Sequence, residues 1–184
     1  MSLPDQNTRD VAAREFTRNL VITAGAGTGK TSLLVERAVN MILTGQAALD
    51  RVVIMTFTKK AAAELRERIA DALIVIMEVT DPKVDREPHP HSEADRSLKW
   101  LAKQGLDDRD LCRRSRDALG VLESAAVGTI HGFASDLLRR HPVEAGLPPD
   151  FTPDDGEERA LLLERIWPDF LARELGPGGE APQD

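Results

Sequence analysis

Apolar positions along the chain alternate between short unbroken runs and longer helical patterns. Leu20-Val21-Ile22 is the first run, and Arg51-Val52-Val53-Ile54-Met55 holds the second. Runs of this kind predict strands buried on both faces, as in a parallel sheet. Ser124 to Ile130, small and β-branched, predicts a third strand. Residues 30–43 place Leu33, Leu34, Ala38, Val39 and Ile42 at helical spacing, with Gly45 as a stop. A second helix, about Lys59 to Glu78, sets Leu65, Ile69, Leu73 and Ile76 on one face, with Thr58 as its cap. Strand, helix, strand in this order predicts βαβ units.

The remaining stretches are less regular. Residues 4–17 predict a short helix that opens on Pro4 and carries Gln6 and Arg9 on a polar face. Residues 79–106, with Pro82, Pro88, Pro90 and mixed charges, predict a surface insertion holding one helical turn at 97–104. His89-Pro90-His91 reads as part of that loop, because no third metal ligand stands at a compatible spacing. Asp107 to Glu123 predicts a helix on which Arg113, Arg114 and Arg116 form a solvated face. Another helix runs from the third strand through Leu137 and Leu138 to Arg140. A loop covers Pro142 to Asp155. A last helix, Glu157 to Glu174, has Leu162, Ile166, Trp167 and Phe170 on its apolar side. Gly176-Pro177-Gly178-Gly179 ends it, before a tail expected to be disordered.

Composition narrows the class. The 184 residues suggest about one domain, and 41% apolar residues suffice for a core. No apolar run approaches the ~18 residues of a membrane helix. A single Cys112 excludes an internal disulfide framework, so a reducing cytoplasm is the expected location. The net charge of −7 is uneven: residues 1–75 carry ten basic and eight acidic side chains, residues 76–184 fourteen and twenty-three. That balance excludes a histone-like binder but not a groove that tracks one nucleic-acid strand.

The chemistry concentrates after the first run. Ala24-Gly25-Ala26-Gly27-Thr28-Gly29-Lys30-Thr31 stands between a predicted strand and a predicted helix, the order a phosphate-binding loop requires. Its glycines let the backbone approach an anion, and the loop amides with the free N–H groups of the new helix face phosphate oxygens. Lys30 brings a point charge to the β/γ-phosphates, and Thr31 offers a hydroxyl to Mg²⁺. The pattern's usual first glycine is Ala24 here. Only seven residues are aromatic, and two of them, Phe57 and Phe133, follow predicted strands. Ligands of open α/β sheets bind outside the carboxyl ends of the strands, where aromatics beside Thr, Lys and His suit bases and phosphates. Two blander readings stand beside this one: Phe57 as a core residue, and His131 as a capped histidine at a strand-to-helix turn.

These segments together resemble the N-terminal motor domain of superfamily 1 DNA helicases of the UvrD/Rep type, most closely the RecB and AddA helicase–nuclease subunits. The carrying residues are Gln6, the loop from Ala24 to Thr31, Thr56-Phe57-Thr58-Lys59-Lys60-Ala61-Ala62-Ala63-Glu64-Leu65 with Arg68-Ile69, and Thr129-Ile130-His131-Gly132-Phe133. Leu137-Leu138-Arg139-Arg140-His141-Pro142 also fits that branch. The resemblance covers residues ~3–150 and implies a P-loop, RecA-like parallel sheet flanked by helices. Residues 1–141 would form part of the ATP-binding domain, and 142–184 the start of a helical insertion subdomain. It implies a motor that moves 3′ to 5′ along single-stranded DNA on ATP and Mg²⁺, in DNA repair or recombination. The partners it implies are DNA ends and a second helicase–nuclease subunit. Gln6 would read the adenine edge. Thr56, Phe57, Thr58 and Lys60 would contact DNA after the second strand, and Thr129, His131 and Phe133 after the third. Lys59 departs from the small polar residue usual there.

The family also needs an Asp-Glu pair at the end of an apolar strand. None is found: Asp154-Asp155 follows Pro153 in a loop, and Glu157-Glu158 opens a helix. The chain therefore reads as an N-terminal fragment of a larger helicase, expected to bind nucleotide without hydrolysing it. Two rivals share the loop. A small-molecule kinase would use Arg113, Arg114 and Arg116, or Arg139 and Arg140, as a lid. A non-enzymatic, ATP-gated DNA-binding module would need no lid at all. A GTPase would require an Asn-Lys-x-Asp guanine reader, which is absent.

Overall fold

The structure, a computed structural model, describes residues 5–148, 150–153 and 157–175. Pro4, Asp154-Asp155, the side chains of Glu157-Glu158, and the glycine-rich stop with its tail lie outside the described residues. The described residues form α1 (Gln6–Arg14), α2 (Lys30–Leu43), β1 (Val53–Thr56), α3 (Lys59–Val79), α4 (Glu93–Leu101), α5 (Asp108–Val121), β2 (Ala126–Thr129), α6 (Ile130–Arg140) and α7 (Glu157–Leu175). The chain divides into two compact units, Met1–Phe133 and Ala134–Asp184.

In the first unit, β1 and β2 pair in parallel, Val53 opposite Ala126 through Thr56 opposite Thr129. Ile54 and Val127 point into a core built by α2, α3 and α5, whose central residues are Val35, Val39, Leu43, Leu65, Ile69, Leu73, Ile76 and Leu111. The helices start where side chains satisfy their first amides. Thr58 Oγ1 accepts from Ala61 N, Ser92 Oγ from Asp95 N, and Asp107 Oδ1 from Asp110 N. Helix α1 is held by its carbonyls: Arg37 Nη1 donates to Ala12 O and Glu15 O, both at 2.7 Å, and Asn40 Nδ2 to Ala13 O.

Three expectations need correction. Leu20-Val21-Ile22 forms no regular element and pairs with no strand among the described residues, and Val21 is 98% exposed. An apolar run becomes a strand only when neighbours take its backbone groups and both its faces. The same limit applies to β1, where Ile54 is buried but Val53 and Met55 on the opposite face are exposed. Finally, the stretch whose prolines and charges predict a surface insertion supplies core. Helix α4 buries Ala94, Ser97 and Leu101 and packs on α2. Buried Glu36 of α2 pairs with Arg96 of α4 at 2.7 Å and with Arg14 of α1 at 3.7 Å, so three helices share one paired buried charge.

In the second unit, Leu147 N donates to Pro142 O across the turn after α6. Helix α7 contains Pro168, and its Trp167 and Phe170 rings stack at 5.4 Å. Leu162, Ile166, Trp167 and Phe170, its apolar side by spacing, are exposed.

Candidate nucleotide and nucleic-acid site

The loop from Ala24 to Gly29 turns on glycines where no other residue fits comfortably. Gly27 has φ +73° and Gly29 φ +83°, the left-handed region that costs a side-chain-bearing residue roughly 1–2 kcal/mol. Thr28 Oγ1 donates back to Gly25 O at 2.9 Å and closes the turn. Gly29 stands at the N-terminus of α2, and no side chain caps that helix. Its first amides are therefore left for an external acceptor, and the helix dipole favours an anion there. Lys30 Nζ donates to Ala24 O at 3.0 Å and Gly25 O at 2.5 Å, so its ammonium stands on the concave side of the loop. Thr31, the second residue of α2, is half-buried.

A cavity of about 250 Å³ opens on this loop, lined by Arg9, Thr23, Gly25, Thr28, Lys30 and Leu33 among others. Arg9, by spacing an ordinary polar-face residue, has a role here. It donates from Nη1 to Thr28 O at 2.9 Å and pairs with Asp5 at 2.9 Å, which pins the loop to α1. The Arg9 guanidinium holds the Asp5 carboxyl below its ordinary value. Gln6 and Ala26 complete the expected nucleotide set: Ala26 is exposed in the turn, and Gln6 lines a second cavity of about 230 Å³ that shares Arg9 and Gly29 with the first. Positive φ at two glycines, uncapped helix amides and a lysine on the loop together fit a nucleotide phosphate.

The sheet rim is the other expected site. Thr56 ends β1 and donates from Oγ1 to Thr58 O at 2.9 Å. Phe57 is 89% exposed and takes no part in the core of this unit. Lys60 in the first turn of α3 is exposed. Thr129 ends β2 and accepts from Gly132 N at 3.0 Å, His131 is exposed, and Phe133 is half-buried. The histidine side chain does not cap the turn; the threonine hydroxyl does.

Two sets of residues hold α2 at its two ends in ways that sequence spacing does not signal, and the first of them joins these sites. Ser32 Oγ donates to Glu93 Oε1 at 2.9 Å, and Arg68 Nη2 donates to Ser32 Oγ at 2.7 Å and to Glu93. The first turn of α2 is thereby bound to the middle of α3. Glu93 lies 61 residues from Ser32, so no local pattern reveals the pair. Arg114 belongs by spacing to a solvated face, yet its Nη1 donates to Leu43 O at 2.6 Å and caps α2. Arg113 pairs with Asp110. A helix of 14 residues is about 21 Å long, so Arg114 sits at the far end of α2 from Lys30, where a kinase lid would serve no phosphate.

Residues 5–175 match the family model described as UvrD/REP helicase N-terminal domain. The chain belongs to that family. It is 36% identical over 144 residues to the AddA subunit of the ATP-dependent helicase/nuclease of Alkaliphilus metalliredigens, covering 78% of this chain and 10% of the relative. The proteins of the same name from Desulforudis audaxviator and Heliobacterium modesticaldum are 34% and 32% identical over 84% and 92% of this chain, and again 10% of each relative is covered. The chain thus spans about a tenth of the length of the curated relatives it matches. No helix among the described residues is long and apolar enough to cross a membrane.

Proposed function

We propose that this chain is the N-terminal, ATP-binding part of an ATP-dependent DNA helicase of the helicase–nuclease kind. It would work on single-stranded DNA from DNA ends, 3′ to 5′, in cytoplasmic DNA repair or recombination, beside a second helicase–nuclease subunit. In this reading residues 1–141 belong to a RecA-like domain and 142–184 begin a helical insertion.

The observation that carries the reading is the phosphate loop bound to the rim helix. Lys30 and Thr31 open α2, and the next residue, Ser32, is hydrogen-bonded to Arg68 on the helix that follows Phe57. Ala24, Gly25, Ala26, Gly27, Thr28 and Gly29 would wrap the phosphates with backbone amides. Lys30 would leave the Ala24 and Gly25 carbonyls for β/γ-phosphate oxygens, and Thr31 would hold Mg²⁺ through its hydroxyl. Bound ATP supplies the phosphoryl group whose transfer drives the motor, and Mg²⁺ neutralises the charge that develops on it. Phe57, with Thr56, Thr58 and Lys60, and Thr129, His131 and Phe133 would meet the DNA strand, the exposed ring stacking on a base and the lysine facing the backbone.

The test is nucleotide binding by this chain. Wild type should bind ATP or ADP with Mg²⁺. Lys30→Ala should weaken it by about 1.5–3 kcal/mol, the range for a charge-assisted hydrogen bond. Equal affinity in the two proteins would sink the phosphate-loop assignment.

A further inference from the structure

Arg9 stands where α1 meets the phosphate loop, and most of its guanidinium is fixed. Nε donates to Asp5 Oδ2 at 3.0 Å, Nη2 pairs with the same oxygen at 2.9 Å, and Nη1 donates to Thr28 O at 2.9 Å. The place a Cβ would take on Gly29 is 3.7 Å from Nη1, so the guanidinium lies against the backbone that opens α2. A guanidinium has five N–H donors and no acceptor. Three are spent on Asp5 and Thr28, and two have no partner among the described residues. Arg9 lines the cavity of about 250 Å³ on the loop, which it shares with Lys30, and also the adjoining cavity of about 230 Å³.

The charge around the first cavity decides what the unspent donors would take. Its charged lining groups are Asp5, Arg9 and Lys30, and Asp5 is already matched by Arg9, so a net positive charge remains. Both cations rest on loop carbonyls: Arg9 on Thr28, Lys30 on Ala24 and Gly25. A carbonyl is a neutral acceptor, and a phosphate oxygen bonds such donors roughly twice as strongly. Arginine offers donors only, in a planar fork that suits a ligand made of acceptors. With Asp5 already holding the side chain, little of its freedom is left to lose on binding. We infer that Arg9 is a second cationic ligand of the nucleotide's phosphate chain, supplied by α1 from outside the loop. Asp5 keeps it in place while its free N–H groups take phosphate oxygens. The inference rests on the nucleotide reading above, with the phosphates at Lys30.

The experiment titrates this chain in a calorimeter with ATP and, separately, with inorganic triphosphate, both in the presence of Mg²⁺. Wild type is expected to bind the two. Arg9→Gln keeps an amide N–H for Thr28 O but loses the charge. It should weaken ATP and triphosphate by the same factor, about tenfold, the scale of one hydrogen bond to a charged group. Arg9→Lys keeps the charge and should lose less. A role confined to holding the loop is served by either donor, so equal affinities in Arg9→Gln and Arg9→Lys would overturn the inference. Triphosphate binding that is unchanged in Arg9→Gln would overturn it too, whether or not ATP binding fell, because the arginine would then be off the phosphates. Lys30→Ala reports on the phosphate loop separately. Its expected loss beside unchanged binding in Arg9→Gln would remove only the role of Arg9, whereas a wild type that bound neither ligand would remove the loop assignment as well.

Discussion

Thr56 and Thr129 are register partners at the last rung of the parallel pair. Both strands therefore leave the sheet at one level; α6 starts at the next residue after Thr129, and α3 starts after Phe57 and Thr58. Each exit is fixed by a threonine hydroxyl. Thr58 Oγ1 accepts from Ala61 N at 3.1 Å, and Thr129 Oγ1 accepts from Gly132 N at 3.0 Å. The rim so formed turns Phe57 outward, and His131 is exposed on the neighbouring exit. Parallel sheets put binding residues at this edge because the helix starts and strand ends meet there.

Phe57 is where the rim can be tested most directly. At 89% exposure the ring makes little of the core, so Phe57→Ala should change folding stability by no more than about 0.5 kcal/mol. In a helicase carrying this domain it should weaken single-stranded DNA binding by about 1–3 kcal/mol, the usual loss for one stacked base. The loss should be nearly independent of salt, because stacking releases no counterions. Fluorescence anisotropy with labelled single strands measures it, and normal affinity in the variant would remove Phe57 from the DNA site.

Lys60 makes a different prediction from the same rim. It lies exposed in the first turn of α3, and its role on DNA would be electrostatic. Lys60→Ala should lower the slope of log affinity against log salt by about 0.7, the contribution of one phosphate contact on a single strand. The two variants thus separate stacking from charge in one assay. An unchanged salt slope would place Lys60 off the backbone path.

The contrast between α2 and Leu20–Ile22 shows what the sequence can tell. The helix is legible to its ends, because a 3.6-residue apolar period and Gly45 are local signals, and Lys30–Leu43 is helical as expected. The pairing of Leu20–Ile22 is not, because it depends on neighbours that an apolar run does not specify. Helix α4 is legible only as a helical turn at 97–104: prolines at 82, 88 and 90 make its surroundings look like loop, and its stripe of Ala94, Ser97 and Leu101 is too small and polar to announce burial. In the candidate site, the loop is legible from glycine chemistry alone. The supports are not: Arg9 on Thr28, Arg68 on Ser32 and Arg114 on Leu43 are long side chains reaching across 19 to 71 residues.

Glu93 gives a pH prediction. Burial works to raise its carboxyl, but the Arg68 guanidinium, its backbone hydrogen bond and the Ser32 hydroxyl together hold it below the ordinary 4.5. A carboxyl lowered on folding stabilises the fold above its unfolded value, and that contribution is lost as pH falls through the folded value. Glu93→Gln should therefore be less stable than wild type at neutral pH, and the difference should close as pH drops below 4.5. Urea denaturation across that range measures it. A gap that stayed constant with pH would mean that the Arg68–Glu93 pair contributes no linkage.

Hydrolysis is the sharpest test, because it separates a phosphate cradle from a complete engine. Transfer of a phosphoryl group is catalysed almost wholly by positioning and electrostatics, so a partial set of groups leaves little activity. The two strands of the sheet end in Thr56 and Thr129, and the residues that follow, Phe57 and Ile130, carry no carboxylate to orient water. Residues 1–184 alone are therefore expected to bind nucleotide but release no phosphate above background, with or without single-stranded DNA. A longer helicase that contains them should show DNA-stimulated turnover, and Lys30→Ala there should abolish it. Clear DNA-stimulated turnover by residues 1–184, lost in Lys30→Ala, would mean that this chain holds its own catalytic carboxylate and is an engine by itself.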